Sequence, residues 1–207
     1  HGIDNDYMFS LKNYNKAKTY MNINSSKDEV FNFYWDGLVN QSFFGAAKVW
    51  VGATTNSQMA GVFGLRRILN TIQNKEVYLI SHSRGASVVL SALVNPSLRE
   101  SEIKRVQNAH HVDFSNAESL KENGNKIYCI MLAPAIGKID FTTDSNQLKN
   151  FTPQLKRMHI TINQSDYVLG KGNTGILSEN FIATDFGYKE SLFNELSENY
   201  SFLEKTD

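Results

Sequence analysis

Ser81-His82-Ser83-Arg84-Gly85 is the stretch in which residue types and spacing could do chemistry. Ser83 has a small residue two before it and a glycine two after. An apolar, β-preferring run precedes it, and small apolar residues follow. That is the pattern of a nucleophile elbow, a sharp bend between a strand and a helix. The chemistry it serves is attack by a hydroxyl on a carbonyl carbon. The turn is so tight that bulky side chains at Ser81 or Gly85 would meet the crossing backbone. It pushes the Ser83 hydroxyl clear of the strand. It also aims the Arg84 amide, and the positive end of the next helix, at a developing oxyanion.

The elements that must position this bend are legible on both sides. Val77 to Ile80 reads as a buried strand, and Ala86 to Leu93 as a helix packed closely on a sheet. Upstream, Val62, Leu65, Leu69 and Ile72 repeat at spacings of three and four, so Ser57 to Asn74 reads as an amphipathic helix with Arg66 and Arg67 in solvent. Downstream, Lys126–Leu132 reads as a second strand and His159–Asn163 as a third. Glu190 to Phe202 reads as a closing helix, Ser10 to Tyr20 as an early one, and Glu29 to Gly37 as an aromatic strand running into a turn. Helices alternating with strands predict an α/β fold built on a mostly parallel sheet.

The bend between a clean strand and a clean helix resembles the alpha/beta-hydrolase superfamily, in its lipase- and esterase-like serine hydrolases. Ser81 stands where that family usually has glycine. The resemblance implies a mostly parallel central sheet with helices on both faces, truncated at both ends. It implies a single domain over residues 1–207 that lacks the first strands and a C-terminal histidine segment. By the same resemblance Ser83 is the nucleophile, and His1-Gly2-Ile3 is the oxyanion loop, with Ile3 giving a second amide beside that of Arg84. Asp166, in Asn163-Gln164-Ser165-Asp166 after the third strand, is the triad acid, with Asp140 its rival. From its residues alone, Asp166 also reads as the cap of a short helix at 167–169. Trp35 either lines the pocket or packs in the core. Ala133 and Pro134, small residues at a strand's carboxyl end, leave room for a ligand.

The base is the missing member. In this family the order is nucleophile, acid, histidine, and none of the five histidines follows Asp166. His159 is read as opening its strand, about 20 Å from the acid loop at about 3.3 Å per residue. His82 sits inside the bend and points away from its neighbour. The chain begins at His1 rather than methionine, so it is read as a piece of a longer protein whose histidine lies beyond Asp207. The expected reaction is cleavage of a small-molecule or lipid-like carboxylic ester. An amidase or thioesterase on the same scaffold, and a hydrolase fold that binds without catalysis, are the alternatives.

Composition narrows the rest. Twenty-one basic and twenty-one acidic residues leave no net charge, so nothing favours nucleic acid. No apolar run is long enough to span a bilayer. His110, His111 and Asp113 could bind zinc, but adjacent histidines point apart and no second cluster supports them, so no metal and no cofactor is assigned. Cys129 is the single cysteine and cannot form an internal disulfide, which fits a reducing compartment such as the cytoplasm or a fold that needs no bridges. Compartment and oligomeric state are left open.

Overall fold

The computed structural model describes residues 7–21, 23–24, 26–35, 46–95, 98–166, 169 and 184–206. Helix α1 spans Tyr7–Tyr20; α2 spans Ala46–Met59 and runs through a π-helical stretch, Ala60–Leu65, into α3, Arg66–Leu69. Strand β1 (Glu76–His82) leads to α4 (Gly85–Leu93), β2 (Val94–Asn95) and α5 (Glu100–His110). Strand β3 (Lys126–Leu132), α6 (Lys138–Phe141), β4 (Asn150–Phe151) and β5 (Leu155–Thr161) follow. The described chain ends with α7 (Glu190–Ser197) and β6 (Leu203–Thr206).

The sheet has the order β1-β3-β5-β6, and every pair is parallel. Each crossover therefore moves the same way across it. Parallel crossovers are right-handed, so the helices that return the chain fall on one face. That face carries Ile127, Cys129, Met131, Met158 and Ile160, all buried. They join Leu90, Leu93, Phe186 and Leu196 in one apolar cluster. The opposite face presents Tyr78, Ile80 and Leu132 to solvent, and the Tyr78 and Tyr128 rings stack there at 5.1 Å. Strands β2 and β4 make a separate antiparallel ribbon.

Helix α4 is buried along its whole length, which its small and apolar residues permit. Its C-terminal carbonyls would be orphaned in that setting. Arg66 satisfies them: its guanidinium donates to the carbonyls of Ser91 (2.7 Å), Ala92 (3.1 Å) and Val94 (3.2 Å). Arg66 is thus buried, not solvated as periodicity suggested, and burial lowers its pKa to about 10. Arg67, one residue on, is exposed as expected.

Other expectations shift at their edges. Residues 29–35 form no strand among the described residues. Their aromatics pack instead: Tyr34 meets the rings of Tyr7 and Tyr14, and the Tyr14 hydroxyl donates to the Phe33 carbonyl at 2.7 Å. Aromatic content favours strands only where a ladder partner exists. The closing helix stops at Ser197, and Leu203 starts a short edge strand paired with β5. The third strand begins at Leu155, four residues before His159.

Gly61 is where the π-helical stretch crosses α4. A Cβ there would sit 2.4 Å from the Val88 carbonyl oxygen and 2.7 Å from Ser91 Cβ. On an open helix, alanine in place of glycine gains about 1 kcal/mol. Here both obstacles belong to a helix that cannot retreat, and forced overpacking costs about 1–3 kcal/mol. Gly61→Ala should therefore destabilise by about 2 kcal/mol in chemical denaturation. An unchanged or raised midpoint would show that α4 is held less tightly than described.

Candidate active site

The bend at Ser83 is real and strained. Ser83 has φ +53°, in the left-handed region, which costs a non-glycine residue about 1–2 kcal/mol. Neighbouring hydrogen bonds hold it there. The Ser83 amide donates to the Leu132 carbonyl at 2.9 Å, extending the β1–β3 ladder one step past the strand. The Ala135 amide donates to the Ser83 carbonyl at 3.1 Å. The same carbonyl accepts the Ala86 amide at 3.1 Å, which starts the turn into α4. Ser83 is half-buried, and no hydrogen bond holds its hydroxyl among the described residues. Ser81, two residues earlier, is buried with its own hydroxyl unpartnered, so the position is used for its size.

Arg84 supplies more than an amide. Its side chain is 2 % exposed. The guanidinium donates from Nη1 to the Ala135 carbonyl at 2.8 Å and from Nε to Ser57 Oγ at 3.3 Å. Its Nη2 lies 3.9 Å from Asp140 Oδ1. Asp140 Oδ2 accepts the Gly137 amide at 2.9 Å. Asp140, the rival acid, is thus occupied by an arginine and a backbone amide.

The loop after β3 forms the other wall of the bend. Ala133 also has a positive φ, +44°. Its amide donates to Thr161 Oγ1 at 2.8 Å, which ties the loop to the top of β5. Pro134 is buried, and its carbonyl accepts the Gly187 amide at 3.2 Å. The Gly187 carbonyl in turn accepts the Asn163 amide at 2.9 Å. A Cβ at Gly187 would lie 2.8 Å from the Pro134 oxygen, so the approach needs glycine. The carboxyl ends of β1, β3 and β5 are therefore stitched together around Ser83. Trp35 is elsewhere, buried in the main apolar cluster, and its burial supports core packing. Ile3 and His1 lie outside the described residues.

Asp166 follows β5 at the same edge and is half-buried. Its Oδ1 accepts the Leu169 amide at 3.1 Å, the bond of a helix cap. Its charge also reaches His82. The His82 residue is exposed overall, yet atoms crowding the ring desolvate it, and this lowers its pKa below the ordinary imidazole value. The Asp166 carboxylate pulls the same pKa upward.

No described histidine is bonded to Ser83. His159 pairs with Ile130, which pairs with Ile80, so it stands three residues below Ser83 and two strands away. At about 3.3 Å per residue and about 4.8 Å per strand, the separation is about 14 Å. His159 is therefore near the carboxyl end of its strand, not at its start, and is still out of reach. It is engaged by Glu204, at 3.9 Å, and Thr206. His111 ends α5 in a left-handed conformation on the surface. The His110 side chain lies outside the description. No group of three or more metal-ligating side chains occurs among the described residues.

Sequence reasoning missed the Arg84 guanidinium, Ser57 and Thr161. One signal was available: an arginine after the bend must start into a buried helix, so its charge needs a partner. Nothing local names Asp140, 56 positions on, as that partner.

The His82–Asp166 proximity can be measured. In an NMR titration the His82 ring should protonate below the value of free histidine, and Asp166→Asn should lower it further. The folded protein then binds fewer protons than the unfolded chain, so His82 costs stability as pH falls below about 6.5. An ordinary His82 midpoint, indifferent to Asp166→Asn, would contradict the geometry.

Comparison with known proteins gives a family and no more. No curated protein and no solved structure gives a significant match to the chain. A family described as "Alpha/beta hydrolase of unknown function (DUF900)" matches residues 50–177, more than half of the chain. That span carries the Ser83 bend, β3 and its loop, β5 and Asp166. The chain belongs to this family of alpha/beta hydrolases.

Proposed function

We propose that the chain belongs to a serine hydrolase that cleaves a carboxylic ester, with Ser83 as its nucleophile. One observation carries the reading. Ser83 is bent through positive φ at the carboxyl end of a parallel sheet, directly before the N-terminus of α4, and no hydrogen bond engages its hydroxyl among the described residues. A strained residue of this kind persists only where the surroundings over-determine it, and such residues cluster at functional sites.

In this reading Ser83 Oγ attacks the ester carbonyl carbon. A histidine base takes the hydroxyl proton and later gives it to the leaving alkoxide. Asp166 holds that imidazole in orientation. A tetrahedral oxyanion forms, accepts hydrogen bonds from the Arg84 amide and a second amide at Ile3, and collapses to the acyl-enzyme. Water then releases the acid by the same route in reverse. Removing one such donor costs about 10²–10³ in rate. The substrate is a small-molecule or lipid-like ester; the small residues Ala133 and Pro134 beside Ser83 suit an acyl group. The cap bond to Leu169 occupies Asp166 Oδ1 only in part, since a carboxylate oxygen accepts more than one hydrogen bond.

The absence of an imidazole bonded to Ser83 among the described residues keeps a second reading in play, a hydrolase fold that recognises without catalysing. A serine-directed fluorophosphonate separates the two. The full-length protein should be labelled at Ser83, and Ser83→Ala should not. A folded, full-length sample that stays unlabelled would favour the binding module.

A further inference from the structure

We infer that Asp140 is a positioning residue for the Ser83 bend, acting through the buried Arg84 guanidinium rather than as the acid of a triad. The inference rests on the serine-hydrolase reading and adds a part to it. Arg84 is the residue whose amide faces the oxyanion in that reading. Its orientation depends on what holds its side chain. Three elements do so: Ser57 of α2, the Ala135 carbonyl, and Asp140 of α6.

The connection to Ser83 is short. Ala135 uses its amide on the Ser83 carbonyl and its carbonyl on Arg84 Nη1. One residue therefore grips the backbone of the bend and the side chain next to it. Asp140 fixes the loop that carries Ala135, because its Oδ2 accepts the Gly137 amide and its own amide donates to the Gly137 carbonyl at 2.9 Å. Its Oδ1 faces the guanidinium. Both charges are almost sealed from water, at 2 % and 6 % exposure. A buried arginine without its carboxylate would turn toward solvent or draw water in, and the peptide of residue 84 would turn with it.

A second buried pair backs the first. Lys149 Nζ lies 3.9 Å from Glu102 Oε2, and Gln58 Nε2 donates to Glu102 Oε1 at 2.6 Å. Lys149 also feels the Asp140 carboxylate. Asp140 thus faces the Arg84 guanidinium, while Lys149 is paired with Glu102. Its Oδ1 is held toward Arg84 and its Oδ2 toward the Gly137 amide.

Full-length protein tests this with an activated ester and a fluorophosphonate. Displacing a catalytic group by about 1 Å can cost 10²-fold. Asp140→Asn should lower kcat about 10- to 100-fold, leave KM within about threefold, and slow Ser83 phosphonylation by the same factor. The shape of the pH–rate profile should stay that of the wild type. The double variant Arg84→Met with Asp140→Leu removes both charges and should recover the unfolding midpoint, but not the rate. It carries the test alone if Asp140→Asn does not fold.

Wild-type rates in Asp140→Asn would overturn the inference. So would a double variant that regains rate together with stability, since the pair would then be structural only. A loss near 10⁴-fold with a displaced pH limb would make Asp140 the triad acid. A wild-type protein that no fluorophosphonate labels would instead remove the hydrolase reading, and this inference with it.

Discussion

A serine held at φ +53° is the constraint on which the site depends. Left to itself, the residue would relax into the right-handed or extended region and gain about 1–2 kcal/mol. It does not relax because both neighbours are committed. On one side the β1–β3 ladder continues through the Ser83 amide to Leu132. On the other, α4 is fixed at both ends by arginines. Arg66 fills its C-terminal carbonyls, and Arg84 anchors its start to Ala135, Ser57 and Asp140. Gly61 lets the preceding helix press on α4 with no side chain between them. The bend joins two elements that these contacts hold in place.

The direction of the sheet gives this arrangement its shape. With order β1-β3-β5-β6 and one hand of crossover, helices gather on one face. That face holds the apolar cluster. The carboxyl ends of the strands share one edge, where Ser83, Ala133, Thr161 and Asp166 converge. Ligands of open α/β sheets bind at that edge. Strand β1 stands at the margin of the described sheet, so Ser83 has the Ala133–Ala135 loop on one flank.

The sequence made the bend legible because its cause is local. Small residues at 81 and 85, an apolar run before and a small-residue helix after leave few other ways to fold. Strands β1 and β3 and helices α1 and α4 were legible for the same reason. What escaped was non-local. The aromatic run at 29–35 has strand propensity and no ladder, so its rings pack around α1. Strand β6 is four residues long at a sheet edge and carries no period to read. Arg66 looked solvated because charge usually is, yet the end of a buried helix needed its donors. Asp140 reads as a rival acid, and no local pattern announces the guanidinium that faces it from 56 positions away. At Asp166 the residues offered two roles, and the structure shows the cap bond to Leu169 alongside a charge felt by His82.

In the proposed reading the bend presents one hydroxyl and one amide to the same reacting centre. A crystal structure of the full-length protein after reaction with a fluorophosphonate tests it most directly. Phosphorus should be bonded to Ser83 Oγ and a phosphonyl oxygen should lie about 3 Å from the Arg84 amide nitrogen, with the guanidinium still on Ala135 and Asp140. An adduct on another residue, or one whose oxygens all turn away from that amide, would contradict it.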